Sequence, residues 1–276
     1  NAYVLLGADC GTVDAAMLTS APVTISRNIT ISAGSGRATI GSSGAGVSTY
    51  SDDVIVAAAG KNVDLLAESD GMVIFAAGVN TADGQTGFGK LTKTGPGKSI
   101  LQAVSRFQGD TYVDAGTLQV DDWHYCRDLV VGADGVLSGG GSILADSVSV
   151  LGAVSPEGTL SAEADVAFAS TARLAMEIGG DKLNVDGELL LGGVLQLSLV
   201  DGFTPQVGET FDILEFTTLS GTFDSIEPLG AAAAISWDFS ALYTIGQISA
   251  GGSAPIIGDT DSDGDVDSDD YQTLIA

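Results

Sequence analysis

"GKLTKTGPGKSILQAVSRFQGDTYVDAGTLQV", residues 89–120, is the stretch whose reading decides the fold. Short β-favouring runs such as "GTLQV" alternate in it with turn residues, and no helical period is sustained. The same texture extends on both sides. Upstream lie "APVTIS", "NITIS", "RATIG", "DVIVAA", "NVDLLA" and "GMVIFAA"; downstream lie "DLVVGADGVLSG", "GSILADSVSVLGAV" and "KLNVDGELLLGGVLQLSLV". These runs are rich in Val, Ile, Leu and Thr and are punctuated by Gly, Asn, Asp and Ser. The chain therefore reads as all-β up to about Ala250. Within the quoted stretch, "TGPGKS" (Thr94–Ser99) has glycines at the wrong spacing for a phosphate loop and no helix after it.

Two all-β architectures accommodate such runs. A sandwich wants longer strands in a compact Greek key. A solenoid stacks short strands into coils of roughly twenty residues. Small residues dominate here, aromatic residues are 6% of the chain, and strand–turn units follow one another closely, which favours the solenoid.

Residues 89–120 resemble the autotransporter-associated β-strand repeat. Gly89, Leu91, Lys93, Gly95 and Gly97 match that family's opening; Gly109, Thr111, Ala115, Gly116, Thr117 and Leu118 match its turn and closing strand. "GVLSGGGSIL" and "GAVSPEGTLS" look like further coils of the same family, although Ser155–Gly158 departs from its usual Pro-Gly turn. "FTPQVGETFDILEF", "GTFDSIEP" and "ISWDFSALYTIGQISA" resemble the segment that follows such repeats, with Trp237, Leu242, Tyr243 and Gly246 matching its closing strands. The resemblance implies a right-handed parallel β-helix of an exported protein. The expected division is β-helix over 1–178, a β-rich cap over 179–250, and a linker with a calcium loop over 251–276.

That loop is read from spacing. Asp259, Asp261, Asp263, Gly264, Asp265, Asp267 and Asp270 occupy positions 1, 3, 5, 6, 7, 9 and 12 of an EF-hand-type loop. Calcium takes six to eight oxygens, and Gly264 permits the sharp turn that lets alternating side chains converge. Asp265 would contribute its main-chain carbonyl, Asp267 would act through water, and Asp270 would close the site. The alternative is a solvated acidic tail, since like charges in a block repel. The loop resembles the first half of a type I dockerin. That resemblance implies a cohesin-like partner contacted by Ser268 and Asp269, but a dockerin carries two such loops.

Composition narrows the partners. With 10 basic and 36 acidic residues the net charge is −26, which disfavours nucleic acid and anionic membrane surfaces. No stretch is long enough for a membrane-spanning helix. The chain begins at Asn1 and reads as a processed or partial chain, expected at the surface of a bacterial cell or outside it. Its two cysteines, Cys10 and Cys126, are then expected to be oxidised, within the chain or between chains; two buried thiols are the alternative.

"DDWHYCRD", residues 121–128, concentrates Trp123, His124, Tyr125 and Arg127 in a sequence that is otherwise small and aliphatic. It reads either as an exposed contact patch for a partner or a polysaccharide, or as a loop pinned by Cys126 with Trp123 covering the core. One His beside one Cys is too few ligands for zinc. A carbohydrate-active β-helix would need paired acids, for which Asp52, Asp53, Asp121, Asp122 and Asp128 are candidates; Asp is also a common turn former. The expectation is a structural protein and not an enzyme: a self-assembling fibre subunit or adhesive passenger, meeting its neighbours head to tail in a calcium-dependent way. The alternatives are a cohesin-docked passenger and a polysaccharide-active enzyme.

Overall fold

Strands such as Val63–Ala67 and Gly71–Phe75 are too short to bury an apolar face alone. They gain stability by stacking on strands of the same shape. The computed structural model describes residues 3–7, 13–32, 36–84 and 88–251, and these form a three-faced parallel β-solenoid with a small antiparallel sheet toward its C-terminal end. Each coil runs through a first, a second and a third face. In the second coil these are Asn28–Ile31, Ala38–Ser42 and Gly46–Tyr50, and each is paired in parallel with the coil below and the coil above.

Coil length changes along the stack. Early register partners on the first face are 25 residues apart: Tyr3 with Asn28, Ile29 with Val54, Val54 with Val79. Later partners are 19 apart: Ser105 with His124, His124 with Ile143, Ile143 with Ala162. The difference lies in the corners. An early coil leaves its strand between the first and second faces, as from Val56 to Val63, whereas Ser142–Val150 turns the same corner within one strand by a register shift between Leu144 and Ser147.

The core is a set of ladders running up the axis. On the second face Ile40, Leu65, Lys93, Val113, Val131 and Val150 lie in register. On the third, Tyr50 and Phe75 stack at 5.3 Å and 12°. Each aliphatic rung contributes roughly 1.5–3 kcal/mol of burial. Among the described residues no helix is long and apolar enough to cross a membrane.

The far end is finished differently. Thr210–Asp212, Gln247–Ala250 and Trp237–Asp238 make a small antiparallel sheet. Phe211 packs edge-on to Phe203 and Trp237, at 5.9 and 6.1 Å, and the Trp237 indole N–H donates to the Ala232 carbonyl. Parallel pairing continues to Ser225–Pro228, so the expected boundary at 178/179 falls inside the stack, where Arg173–Ile178 pairs with Val194–Leu199. The reason is that Lys182–Leu191 and Val194–Leu199 still present inward aliphatic residues in register with the coil below. Only the excursion through Thr210–Asp212 and the chain after Pro228 leave that pattern.

Candidate functional site

The 121–128 stretch is not a loop. Trp123–Tyr125 is a first-face strand, paired with Ser105–Arg106 on one side and Ser142–Leu144 on the other. Strand alternation then sorts its side chains. Trp123 and Tyr125 point outward and stack on each other at 5.9 Å and 29°. Arg106, the register partner of Tyr125, lies 5.3 Å from that ring. Exposed Arg127 makes a bidentate pair with Asp110, both bonds 2.7 Å. Asp128 accepts from the Ser147 hydroxyl at 2.7 Å.

His124, grouped above with the outward contacts, is 0% exposed. It belongs to the core because it shares a face with inward Cys126 and stacks between Ser105 and Ile143. Its Nε2 is 2.9 Å from the Thr111 hydroxyl, and Nδ1 has no hydrogen-bond partner. Burial pushes its pKa down to about 4, and the Ser105 backbone opposes this only in part. Parity could have revealed this placement: Leu118, Val120, His124 and Cys126 all fall on even positions and all are buried.

Cys126 is 8% exposed, and burial pushes its thiol up to about 12, with a hydrogen bond to Thr111 opposing. A thiol in that state is a poor nucleophile. In native protein Cys126 is expected to resist alkylation at pH 8 and to react fully on unfolding without reductant. A residue still blocked after unfolding would instead establish a disulfide. Cys10 lies outside the described residues, as do Ser268, Asp269 and the calcium ligands Asp259, Asp261, Asp263, Asp265, Asp267 and Asp270.

The candidate acids do not share one groove. Asp52 and Asp53 precede Val54, and Asp121 and Asp122 precede Trp123, so both pairs lie where the third face turns into the first. Val54, Val79, Ser105 and His124 mark successive coils there, which separates the pairs by three coils, about 14 Å. Glycosidic carboxylate pairs stand roughly 5–9.5 Å apart. Asp128 is at the next corner.

A groove of about 610 Å³ elsewhere is lined by Glu157, Met176, Glu177, Asp181 and Ser198. Glu177 and Asp181 come from one turn, and the stacking of coils brings Glu157 beside them. Two are engaged structurally: Asp181 accepts from the Gly158 and Glu177 amides at 3.0 and 2.8 Å, and Glu157 accepts from Lys98 at 3.1 Å and Ser138 at 2.9 Å. Burial works to raise the Glu157 pKa, but the Lys98 and Ser138 hydrogen bonds outweigh it and hold the carboxyl below its ordinary value. That is the opposite of what a general acid needs.

No family model matches the chain. Over 121 residues it is 31% identical to an extracellular serine protease of Serratia marcescens, a match covering 41% of this chain and 12% of the protease. The chain thus spans a small fraction of that relative's length, and the similarity is to one part of a much larger extracellular protein.

Proposed function

We propose that this chain is an exported, acidic β-solenoid with a structural role outside the bacterial cell, as an adhesive passenger or a subunit that associates with copies of itself. The observation that carries this reading is the stack of parallel coils from Tyr3 to Pro228. Export is supported by the similarity to part of an extracellular protease. The stack presents parallel outward faces along its length, suited to spacing and display. The protease activity of the relative belongs to that protein.

Self-association is supported at the first coil. Among the described residues, Tyr3–Leu6, Ala15–Thr19 and Thr24–Ile25 each pair with the second coil alone. Unpaired strand edges recruit other strands. Tyr3, Leu5, Val13, Leu18 and Val23 add exposed apolar surface at the same end. At the other end, among the described residues, Leu214–Gly221 and Ser225–Pro228 likewise pair only with the coil below, so a head-to-tail contact would set a first coil against that last coil. Calcium at the 259–270 loop would couple this contact to the extracellular ion. Docking on a cohesin-like partner through Ser268 and Asp269 is the alternative use of the same loop.

Sedimentation velocity on the full chain, in millimolar calcium and then in chelator, tests the proposal. Concentration-dependent association that a proline at Leu5 abolishes is the expected result, since proline cannot donate to an added strand. A monomer at high concentration in calcium would overturn the self-association reading.

A further inference from the structure

The first-face ladder of backbone hydrogen bonds is interrupted at one level. Val79–Thr81 ends a four-stranded sheet with Tyr3–Leu6, Asn28–Ile31 and Val54–Val56, while Ser105–Arg106 belongs to the large sheet that continues up the stack. Side chains bridge the gap. The Val79 amide donates to Ser105 Oγ at 3.0 Å, the Arg106 amide donates to Asn80 Oδ1 at 2.9 Å, and the Thr81 hydroxyl donates to the Phe107 carbonyl. This is also where coil length changes from 25 to 19 residues. The second and third faces stay paired across the level, through Lys90–Thr94 with Asp110–Val113 and Lys98–Leu101 with Thr117–Val120.

A cluster of buried polar side chains, Ser105, Thr111 and His124, sits on the upper side of this break. His124 stacks on Ser105, reaches across to Thr111, and shares Thr111 with Cys126. His124 is fully buried, with Nδ1 unpartnered, and no charged group contributes to its environment. The acids Asp110, Asp128 and Asp146 act on Cys126 from the adjoining corner, where Asp110 is paired with exposed Arg127. A proton added to His124 would therefore create a buried cation with no countercharge, offset only in part by the Ser105 backbone, beside the interrupted level of the first face.

We propose that this level is an acid-sensitive seam, at which protonation of His124 opens the first face between Val79–Thr81 and the Ser105–Cys126 segment while the other two faces hold the coils together. The sign follows from linkage. The imidazole takes up a proton less readily folded than unfolded, so stability falls as the pH drops below the ordinary histidine value of about 6.5 and the loss is complete below about 4. Opening exposes Cys126 and the inner side of the Trp123–Tyr125 strand.

Hydrogen exchange of the full chain, corrected for intrinsic rate, tests this between pH 7 and 4.5. Peptides covering 79–81, 105–107 and 123–126 are expected to open more readily, approaching tenfold per pH unit below about 6.5, relative to Lys182–Leu199 in the same sample. His124→Gln should flatten that slope. The slope persisting in His124→Gln would assign it to the Asp110–Arg127 corner and overturn the proposal, as would seam peptides that track Lys182–Leu199. If the variant does not fold, the chain's only histidine supplies the second measurement by imidazole NMR: titration near 4 is expected, and titration near 6.5 would overturn the proposal.

Discussion

Alanine at Gly41 is expected to lower the unfolding midpoint by roughly 10 °C, from a cost on the order of 4 kcal/mol. Gly41 sits in the second-face strand Ala38–Ser42 with φ at +149°, between Leu18 in the coil below and Leu66 in the coil above. A Cβ there would collide with the Leu66 carbonyl oxygen and crowd its amide nitrogen. The neighbour cannot yield, because both groups belong to the ladder that joins the coils. The Gly41 carbonyl is fixed as well: it accepts the Tyr50 hydroxyl at 2.7 Å, and Tyr50 is stacked on Phe75. A shift of this backbone would therefore disturb two faces. Gly84→Ala is the control, since Gly84 also has positive φ (+77°) but meets nothing within 4 Å. It should cost about 1–2 kcal/mol, the conformational penalty alone. Equal losses in the two variants, by thermal melts followed by circular dichroism, would show that coil stacking does not restrict Gly41.

The second large effect is expected at Lys93, the ammonium inside the aliphatic second-face ladder. Lys93 is 0% exposed, and its Nζ donates to the Thr94, Gly95 and Ala115 carbonyls at 2.7, 2.6 and 3.0 Å. Two effects oppose each other. Burial lowers its pKa to about 8, with Glu68 opposing, so removing the charge would recover at most about 3 kcal/mol. The three carbonyls would lose their donor, at about 1–3 kcal/mol for each left unsatisfied. The second sum is larger, so Lys93→Met is expected to lose about 2 kcal/mol although it preserves most of the volume. Lys93→Ala should lose about 4 kcal/mol because a cavity is added. The pH dependence gives an independent reading. The lysine is harder to protonate folded than unfolded, so its burden is full below about pH 8 and is relieved as the pH rises toward 10.5. Wild type should accordingly gain stability relative to Lys93→Met between pH 8 and 10. A methionine variant as stable as wild type at pH 7 would mean that the carbonyls find other donors and the ammonium is a net burden.

Much of the fold was legible from residues. Short β-favouring runs with Gly and Asp between them cannot bury a face except by stacking, and that physical constraint selected the solenoid. The repeat-like residues 89–120 hold four consecutive strands of the stack, Lys90–Thr94, Lys98–Leu101, Ser105–Arg106 and Asp110–Val120. The net charge of −26 was legible at once, because a net charge needs no coordinates.

Other features were decided by the tertiary structure alone. The change from 25-residue to 19-residue coils depends on whether a corner is turned inside or outside a strand, and the same Gly- and Asp-rich composition serves both. The end of the stack at Pro228 depends on whether an inward residue finds a partner in the coil below, a relation between segments that no single segment carries. The roles within Trp123–Tyr125 turned on register, because a shift of one residue exchanges every inward side chain for an outward one. As a sequence, Trp, His, Tyr and Arg together read either as one contact patch or as a loop pinned by Cys126 over the core. The stack divides them, leaving Trp123, Tyr125 and Arg127 outside and placing His124 in the core, and only the neighbouring coils, through Ser105, Thr111 and Ile143, determine which side is which.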